Sequence, residues 1–251
     1  MKSKIYKIIL IIVVLSSNIF ADLEKELFQQ AIDFYKNADY YSAEQKLLEL
    51  NSILNQKGEI SSEILYNLGN CYFRQNKLGL ARYYFELSKI VSPYNKDIEY
   101  NLRYIKSILN IGTEEGIFEY LLSFIHLKHL LLLTFIFNVL FFGSLIATNF
   151  VNLNIINWLK RIGFILFVIF GILSIAKYNY LNKPKCIIVE TTQIFSAPEE
   201  NINTKSVTVN EGKKAIILSK KDNFYAIYLV EDKVQGWIKA DKIKILTLRN
   251  I

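Results

Sequence analysis

Residues Leu130–Ala147 read LLLLTFIFNVLFFGSLIA and residues Ile162–Ala176 read IGFILFVIFGILSIA. No charged side chain occurs from Leu130 to Leu159, and Thr134, Asn138 and Ser144 alone interrupt the first eighteen residues. At a rise of about 1.5 Å per residue against a hydrocarbon layer of roughly 30 Å, each stretch spans a membrane once a few flanking residues are added. Trp158, Tyr178 and Tyr180 flank the second run, as expected for aromatics at headgroup depth. Ahead of the first, Ile117–Leu127 mixes Glu119 and Ser123 with Phe118, Leu121, Leu122 and Phe124. Residues 117–181 are therefore expected to form an interfacial helix and two transmembrane helices, at about 128–148 and 158–180.

Two crossings return the chain to its starting side, so the segments before and after the hairpin should share one face of the membrane. The link Thr148–Arg161 carries Lys160 and Arg161 and no acid, which suits a cytoplasmic loop, but Lys128, Lys177, Lys183 and Lys185 flank the other side. Loop charge alone does not decide the orientation. Asn138 and the small pair Gly143 and Ala147 fit either packing within the hairpin or recognition of another helix. No ionisable residue is expected within a crossing to mark a transport path.

Residues 1–21 carry Lys2, Lys4 and Lys7, then the apolar run Ile8–Leu15, then short polar residues ending at Ala21. This is a secretory leader, either a cleaved signal peptide or an uncleaved anchor, and in both cases the chain from Asp22 onward is exported. The expected location is a bacterial inner membrane, crossed twice, with both soluble segments periplasmic. The formal charge of +7 does not imply nucleic acid. Asp22–Gly116 holds 11 basic and 14 acidic side chains, and Pro184–Ile251 holds 11 and 8, with no basic stripe interleaved with aromatics.

From Leu23 to Leu109 Pro93 is the sole proline and apolar residues recur at helical spacing. The segment also repeats. Leu65, Leu68, Gly69 and Tyr72, followed by Ala81, Phe85, Ser88 and Pro93, resemble a tetratricopeptide repeat. An earlier copy runs through Leu27, Ala31, Phe34, Ala43, Leu47 and Leu50, with Gln30 and Asn55 in place of the usual leucine and proline. Ala31 and Ala43 each precede Gly69 and Ala81 by thirty-eight residues, and about four extra residues near Gln56–Glu59 explain the departure from a period of thirty-four. Asp97–Leu109, with Ile98, Leu102, Ile105 and Leu109 in one stripe, reads as a capping helix. The resemblance implies an all-α domain over 22–112 with a concave groove for peptides or partner helices, faced by Glu63, Tyr66, Asn70, Phe73 and Arg74. Phe73 fits inter-helix packing as well. A variant of the family holds a C-terminal carboxylate with lysine and asparagine on the first helix; Phe28 and Ile32 stand there instead.

After Pro184 the period becomes two. Ile187 and Val189, Val207 and Val209, Ala215–Leu218, Tyr225–Leu229, Trp237–Ile238 and Ile243–Leu246 alternate with turn residues such as Glu211-Gly212 and Asp222-Asn223. About five strands in some sixty residues make a small barrel, and Gly236-Trp237-Ile238 followed by a polar turn resembles the bacterial SH3 domain. That likeness implies a barrel over 184–251, a variable loop at Phe195–Lys205, and a rim of Phe224, Tyr225, Tyr228 and Trp237 offering stacking surfaces to a peptide or cell-wall glycopeptide. Burial is an alternative role for each of the four in so small a barrel.

Catalytic chemistry is not expected. His126 and His129 lie three apart at the mouth of the first crossing without a completing ligand, and no nucleophile elbow or phosphate-cradling loop is present. Cys71 and Cys186 read as small buried residues. Glu114 and Glu115 read as a solvated hinge. No cofactor is expected.

Taken together, the chain reads as a multidomain membrane protein: leader, all-α repeat domain, two-helix transmembrane hairpin and small all-β SH3-like barrel. This order resembles the BatE-type proteins of bacterial aerotolerance (Bat) operons. The resemblance implies a non-enzymatic scaffold in a stress-related envelope complex. Its partners would be von Willebrand factor A-domain membrane proteins of the same operon, and through them a MoxR-type ATPase. Peptidoglycan recognition, or sensing through the barrel, is the alternative, and the lipid bilayer is a partner in either case.

Overall fold

The computed structural model describes residues 22–112, 125–150, 154–199 and 205–248. The leader, Glu114 and Glu115, most of the interfacial segment 117–127 and the middle of the loop 195–205 lie outside them. The chain divides into two compact units. One is Thr113–Lys183; the other joins the chain up to Gly112 with the chain from Pro184 onward. The helical and β segments, separate in the sequence reading, thus pack as one body.

That body starts with five helices: α1 (22–36), α2 (Tyr40–Gln56), α3 (Ser62–Arg74), α4 (Leu78–Val91) and α5 (Lys96–Ile108). Side-chain caps start three of them. Asp39 accepts from Ser42 N, Ser61 from Ile64 N, and Asn95 from Asp97 N and Ile98 N. The bond from Ser42 holds the Asp39 carboxyl below its ordinary pKa. The α1–α2 and α3–α4 turns are built alike: Ala38 N and Asp39 N donate to Tyr35 O and Phe34 O, and Asn76 N and Lys77 N donate to Phe73 O and Tyr72 O. Ala38 and Asn76 both have φ of 59°. The same turn therefore recurs at the thirty-eight-residue offset read from Ala31 and Gly69. One apolar core runs through all five helices, from Leu27 and Ala31 through Leu47, Leu68 and Phe85 to Leu102 and Ile105.

Seven antiparallel strands come after the hairpin: β1 (Lys185–Ile188), β2 (Thr192–Phe195), β3 (Ser206–Val209), β4 (Lys214–Lys221), β5 (Phe224–Leu229), β6 (Val234–Lys239) and β7 (Ile243–Ile245). Their order is β3-β2-β6-β5-β4-β1-β7. This exceeds the five or so strands expected, and β2 is the one that the pattern does not announce. Ile227 and Ile238, in neighbouring inner strands, are wholly buried in a core shared with Val209 of one edge strand and Ile243 of the other. A sheet without a full covering layer reaches such burial by coiling on itself, and the β4 bulge between Ile217 and Ser219 sharpens the bend.

β1 is buried on both faces. Cys186 and Ile188 enter the sheet's core, while Ile187 packs with Leu65, Tyr83 and Leu87 of α3 and α4. The turn between β3 and β4 completes the junction. Gly79 N donates to the Glu211 carboxylate at 2.7 Å, the buried Arg82 guanidinium donates to Gly212 O, and Lys214 Nζ lies 2.7 Å from Glu86 Oε1. A Cβ on Gly79 would fall 2.6 Å from Val189 O and 2.8 Å from Ile188 O, so only glycine admits this approach of α4 to the strand.

The second unit is an antiparallel pair, α6 (Leu127–Ala147) and α7 (Asn154–Asn182), both long and apolar enough to cross a membrane. Lys160 and Arg161 belong to the second turn of α7, so the expected link Thr148–Arg161 contracts to residues 148–153. Lys177, one of the lysines read as flanking the second crossing, also lies in α7, buried, with Nζ over the Tyr180 ring. Leu130, Thr134, Phe137, Phe141 and Ser144 of α6 and Gly163, Phe170, Ser174 and Lys177 of α7 form a seam at helical spacing. Phe137 stacks on Phe170 with centroids 5.3 Å apart, and the Thr134 and Ser174 hydroxyls are 3.1 Å apart. Gly163, against the Phe141 backbone, is the close-contact glycine. Gly143, the sequence candidate, faces open space.

Glu86 makes the junction acid-sensitive. Burial raises its pKa, but Lys214, Arg82 and Lys106 outweigh burial and hold the carboxyl below its ordinary 4.5. A depressed folded pKa gives stability that is complete above the unfolded value and lost as pH falls through the folded one. Stability should therefore be flat above roughly pH 5 and decline below it. Glu86→Gln should destabilise the body by about 3 kcal/mol at pH 7 and flatten that decline, as read by thermal unfolding across pH.

Candidate functional site

Along α3, Ile64, Leu65, Leu68, Cys71 and Tyr72 point into buried layers, which leaves Tyr66, Asn70 and Phe73 on one opposite stripe. On α5, Ile98, Leu102 and Ile105 take the core, and Tyr100, Asn101 and Tyr104 face the same hollow. Tyr35 of α1 and the ring of Phe85 complete a concave cavity of about 170 Å³ lined by Asn70, Phe73, Arg74, Tyr100, Asn101 and Tyr104.

Its polar groups are organised. Asn101 Nδ2 donates to Tyr66 OH at 3.1 Å and to Asn70 Oδ1 at 3.2 Å, which ties α5 to α3. Arg74 Nε donates to Tyr35 OH at 3.3 Å. Phe73 and Tyr104 rings lie 5.8 Å apart and Tyr100 stacks parallel to Tyr104 at 6.4 Å. Of the five residues expected in the groove, Asn70, Phe73 and Arg74 line it, Tyr66 braces it from beside Phe85, and exposed Glu63 stands off the lining. Phe73 both packs and lines. Tyr35, Tyr100, Asn101 and Tyr104 join the lining without having been singled out by sequence, although the spacing of Tyr100 and Tyr104 beside the capping helix's apolar stripe is a usable signal.

The four aromatics expected on the barrel rim do not share one surface. In the β5–β6 register Phe224 opposes Lys239, Ala226 opposes Trp237 and Tyr228 opposes Gln235, so Phe224, Tyr228 and Trp237 lie on one face. Phe195, paired with Trp237, meets Phe224 edge-on at 6.2 Å. Tyr225 belongs to the other face, packs on the core of the sheet and lines a cavity of about 260 Å³ with Tyr83, Ala240, Ile243, Lys244 and Ile245.

A second polar cluster sits within the helices. Gln75 Nε2 donates to Glu44 Oε2 at 2.6 Å, and Tyr72 stacks on Tyr84 at 5.1 Å. Burial first, then Tyr84 and Glu44, push the Tyr72 phenol above its usual pKa. This cluster closes the contact of α2 with α3 and does not line the groove. His126 and His129 rings are 5.4 Å apart, and among the described residues no group of three histidine, cysteine or carboxylate side chains is placed to hold a metal.

No protein-family model matches this chain, and no curated protein matches its sequence.

Both cysteines are free and buried. Burial pushes each thiol up to about 12, with Glu44 adding to the effect at Cys71. At neutral pH neither offers thiolate to an electrophile. The native chain should therefore leave both unmodified by a thiol-reactive dye over hours, and denaturant should release two reactive thiols; a fast native thiol would contradict the burial.

Proposed function

We propose that this chain is a non-enzymatic adaptor of the BatE type, anchored in a bacterial inner membrane. It presents a tetratricopeptide groove and an SH3-like barrel on the periplasmic face as part of a stress-related envelope complex. Its partners are von Willebrand factor A-domain membrane proteins, which connect it to a MoxR-type ATPase. The observation that carries this reading is the groove: aromatic rings, an amide pair and one guanidinium converge in a hollow between α1, α3 and α5. Such a surface suits a peptide chain, since no carboxylate, histidine, cysteine, serine or lysine joins its aromatic and amide lining.

The topology is supported by packing as well as by the leader. Chain before Gly112 and chain after Pro184 form one compact unit, and such a unit lies on one side of any membrane crossed between them. Two helices of crossing length between those points satisfy that condition.

Affinity purification of the detergent-solubilised full chain from its own cells, with mass spectrometry, tests the reading. An A-domain membrane protein should co-purify. Tyr66→Ala with Asn70→Ala should reduce its recovery roughly tenfold, since groove-centre side chains dominate such interfaces. Recovery of the chain alone would overturn the proposal.

A second reading, cell-wall recognition, is favoured by the strip of Phe224, Tyr228 and Trp237 on one face of the barrel. Co-sedimentation of the full chain with purified sacculi, lost in Trp237→Ala, is its expected result. Equal sedimentation of both forms would exclude it.

A further inference from the structure

The groove holds one charged side chain, Arg74. Its Nε is committed to Tyr35 OH, and among the described residues the guanidinium makes no other hydrogen bond, so the Nη edge is presented as a planar two-donor fork. A fork of that shape matches a carboxylate in two parallel bonds. No acidic side chain lines the cavity to occupy it.

One turn earlier on α3, Asn70 bonds to Asn101 of α5 through a single donor and a single acceptor. That leaves Asn70 Nδ2 and Asn101 Oδ1, one donor and one acceptor, without a hydrogen bond among the described residues. A peptide unit carries the complementary pair, one carbonyl and one N–H. Beside them Tyr104, exposed and held by Phe73 and Tyr100, offers a ring face.

We propose that this groove selects an extended peptide segment by an internal acidic side chain adjacent to an aromatic one. The carboxylate sits on Arg74, the backbone on the Asn70–Asn101 pair, and the aromatic ring on Tyr104. This inference rests on the reading of the groove as a peptide site and adds the sequence class that the site takes.

The test is fluorescence anisotropy on the full chain in detergent micelles. The probes are N-acetylated, C-amidated ten-residue peptides of alanine and serine with a central Glu-Phe, Gln-Phe or Glu-Ala pair. Glu-Phe should bind about fivefold more tightly than Gln-Phe, the upper scale of one exposed charge-assisted pair. Arg74→Gln should abolish that preference, and Tyr104→Ala should abolish the preference for Glu-Phe over Glu-Ala. If Glu-Phe and Gln-Phe bind alike, or Arg74→Gln keeps their ratio, the acidic-peptide inference falls. The peptide-site reading survives that result if Asn70→Ala weakens both peptides. If none of the peptides binds, or binding ignores Asn70→Ala, both fall. Displacement of the peptides by a cell-wall glycan fragment at the same sites would replace the proposal with a carbohydrate site.

Discussion

Arg82 is wholly buried, and the compact unit of helices and sheet depends on how its charge is met. Stripping a guanidinium of water costs several kcal/mol unless paired groups surround it. Gly212 O and Glu86 meet Arg82, and Lys214 meets Glu86 in turn, so helix and sheet segment each supply part of one buried ionic group. Neither segment satisfies it alone. Separating them would hydrate Arg82 and Glu86 but would also expose Ile187, Tyr83 and Leu87 to water. Charge satisfaction gives the junction its register, because only one placement of the β3–β4 turn brings Glu211, Gly212 and Lys214 to Gly79, Arg82 and Glu86 together. Apolar burial supplies the larger share of the stability.

With the junction fixed, the hairpin becomes an insertion in a folded body. At its entry Gly112 N donates to the Glu231 carboxylate, and at its exit Pro184 O accepts from Ile217 N. Both bonds lie within the first unit, so the last residue before the insertion and the first residue after it each bond to the β-sheet segment. Within the hairpin the seam is made by aromatic stacking and by hydroxyls that also donate to their own helices, Thr134 to Leu130 O and Ser174 to Phe170 O. Hydroxyls satisfied in this way need no water, which suits a seam between two helices with apolar outer faces.

The sequence is most legible where periodicity alone decides. The apolar stripes of α1–α5 and the two long apolar helices follow from residue spacing, and so does the repeat, because Ala31 with Gly69 and Ala43 with Ala81 mark equivalent contacts. It is least legible where an environment comes from the other end of the chain. Arg82 and Glu86, four apart on α4, look like any solvated helical ion pair, and nothing near them reveals Lys214 as the third member. The run Cys186-Ile187-Ile188-Val189, which an alternating pattern explains only in part, is the available clue to a strand covered on both faces. Tyr225 departs from expectation for a related reason. Successive residues of β5 alternate faces, so grouping it with Phe224 and Tyr228 ignores the parity that sends it to the core. In the groove, family geometry points to α3 alone, while the capping role of α5 hides its second face.

The junction also determines which surfaces remain for partners. α4 gives Gly79, Arg82, Tyr83 and Glu86 to the contact with the β-sheet segment and Ala81 and Phe85 to the helical core, with Phe85 also flooring the groove. The groove's walls come from α1, α3 and α5, and none of its lining residues contributes to the ionic group around Arg82. The outer strip of Phe224, Tyr228 and Trp237 lies on β5 and β6, apart from the β1 strand that meets α4. Occupation of either surface therefore leaves the junction intact, and the two surfaces are carried at a fixed separation by one compact body. Two flexibly linked modules would gain from each other only through effective concentration, whereas a rigid pair imposes a geometry and rejects partners that do not present matching sites. For the adaptor role proposed above that distinction matters, because geometry would then contribute to selectivity along with the chemistry of each site.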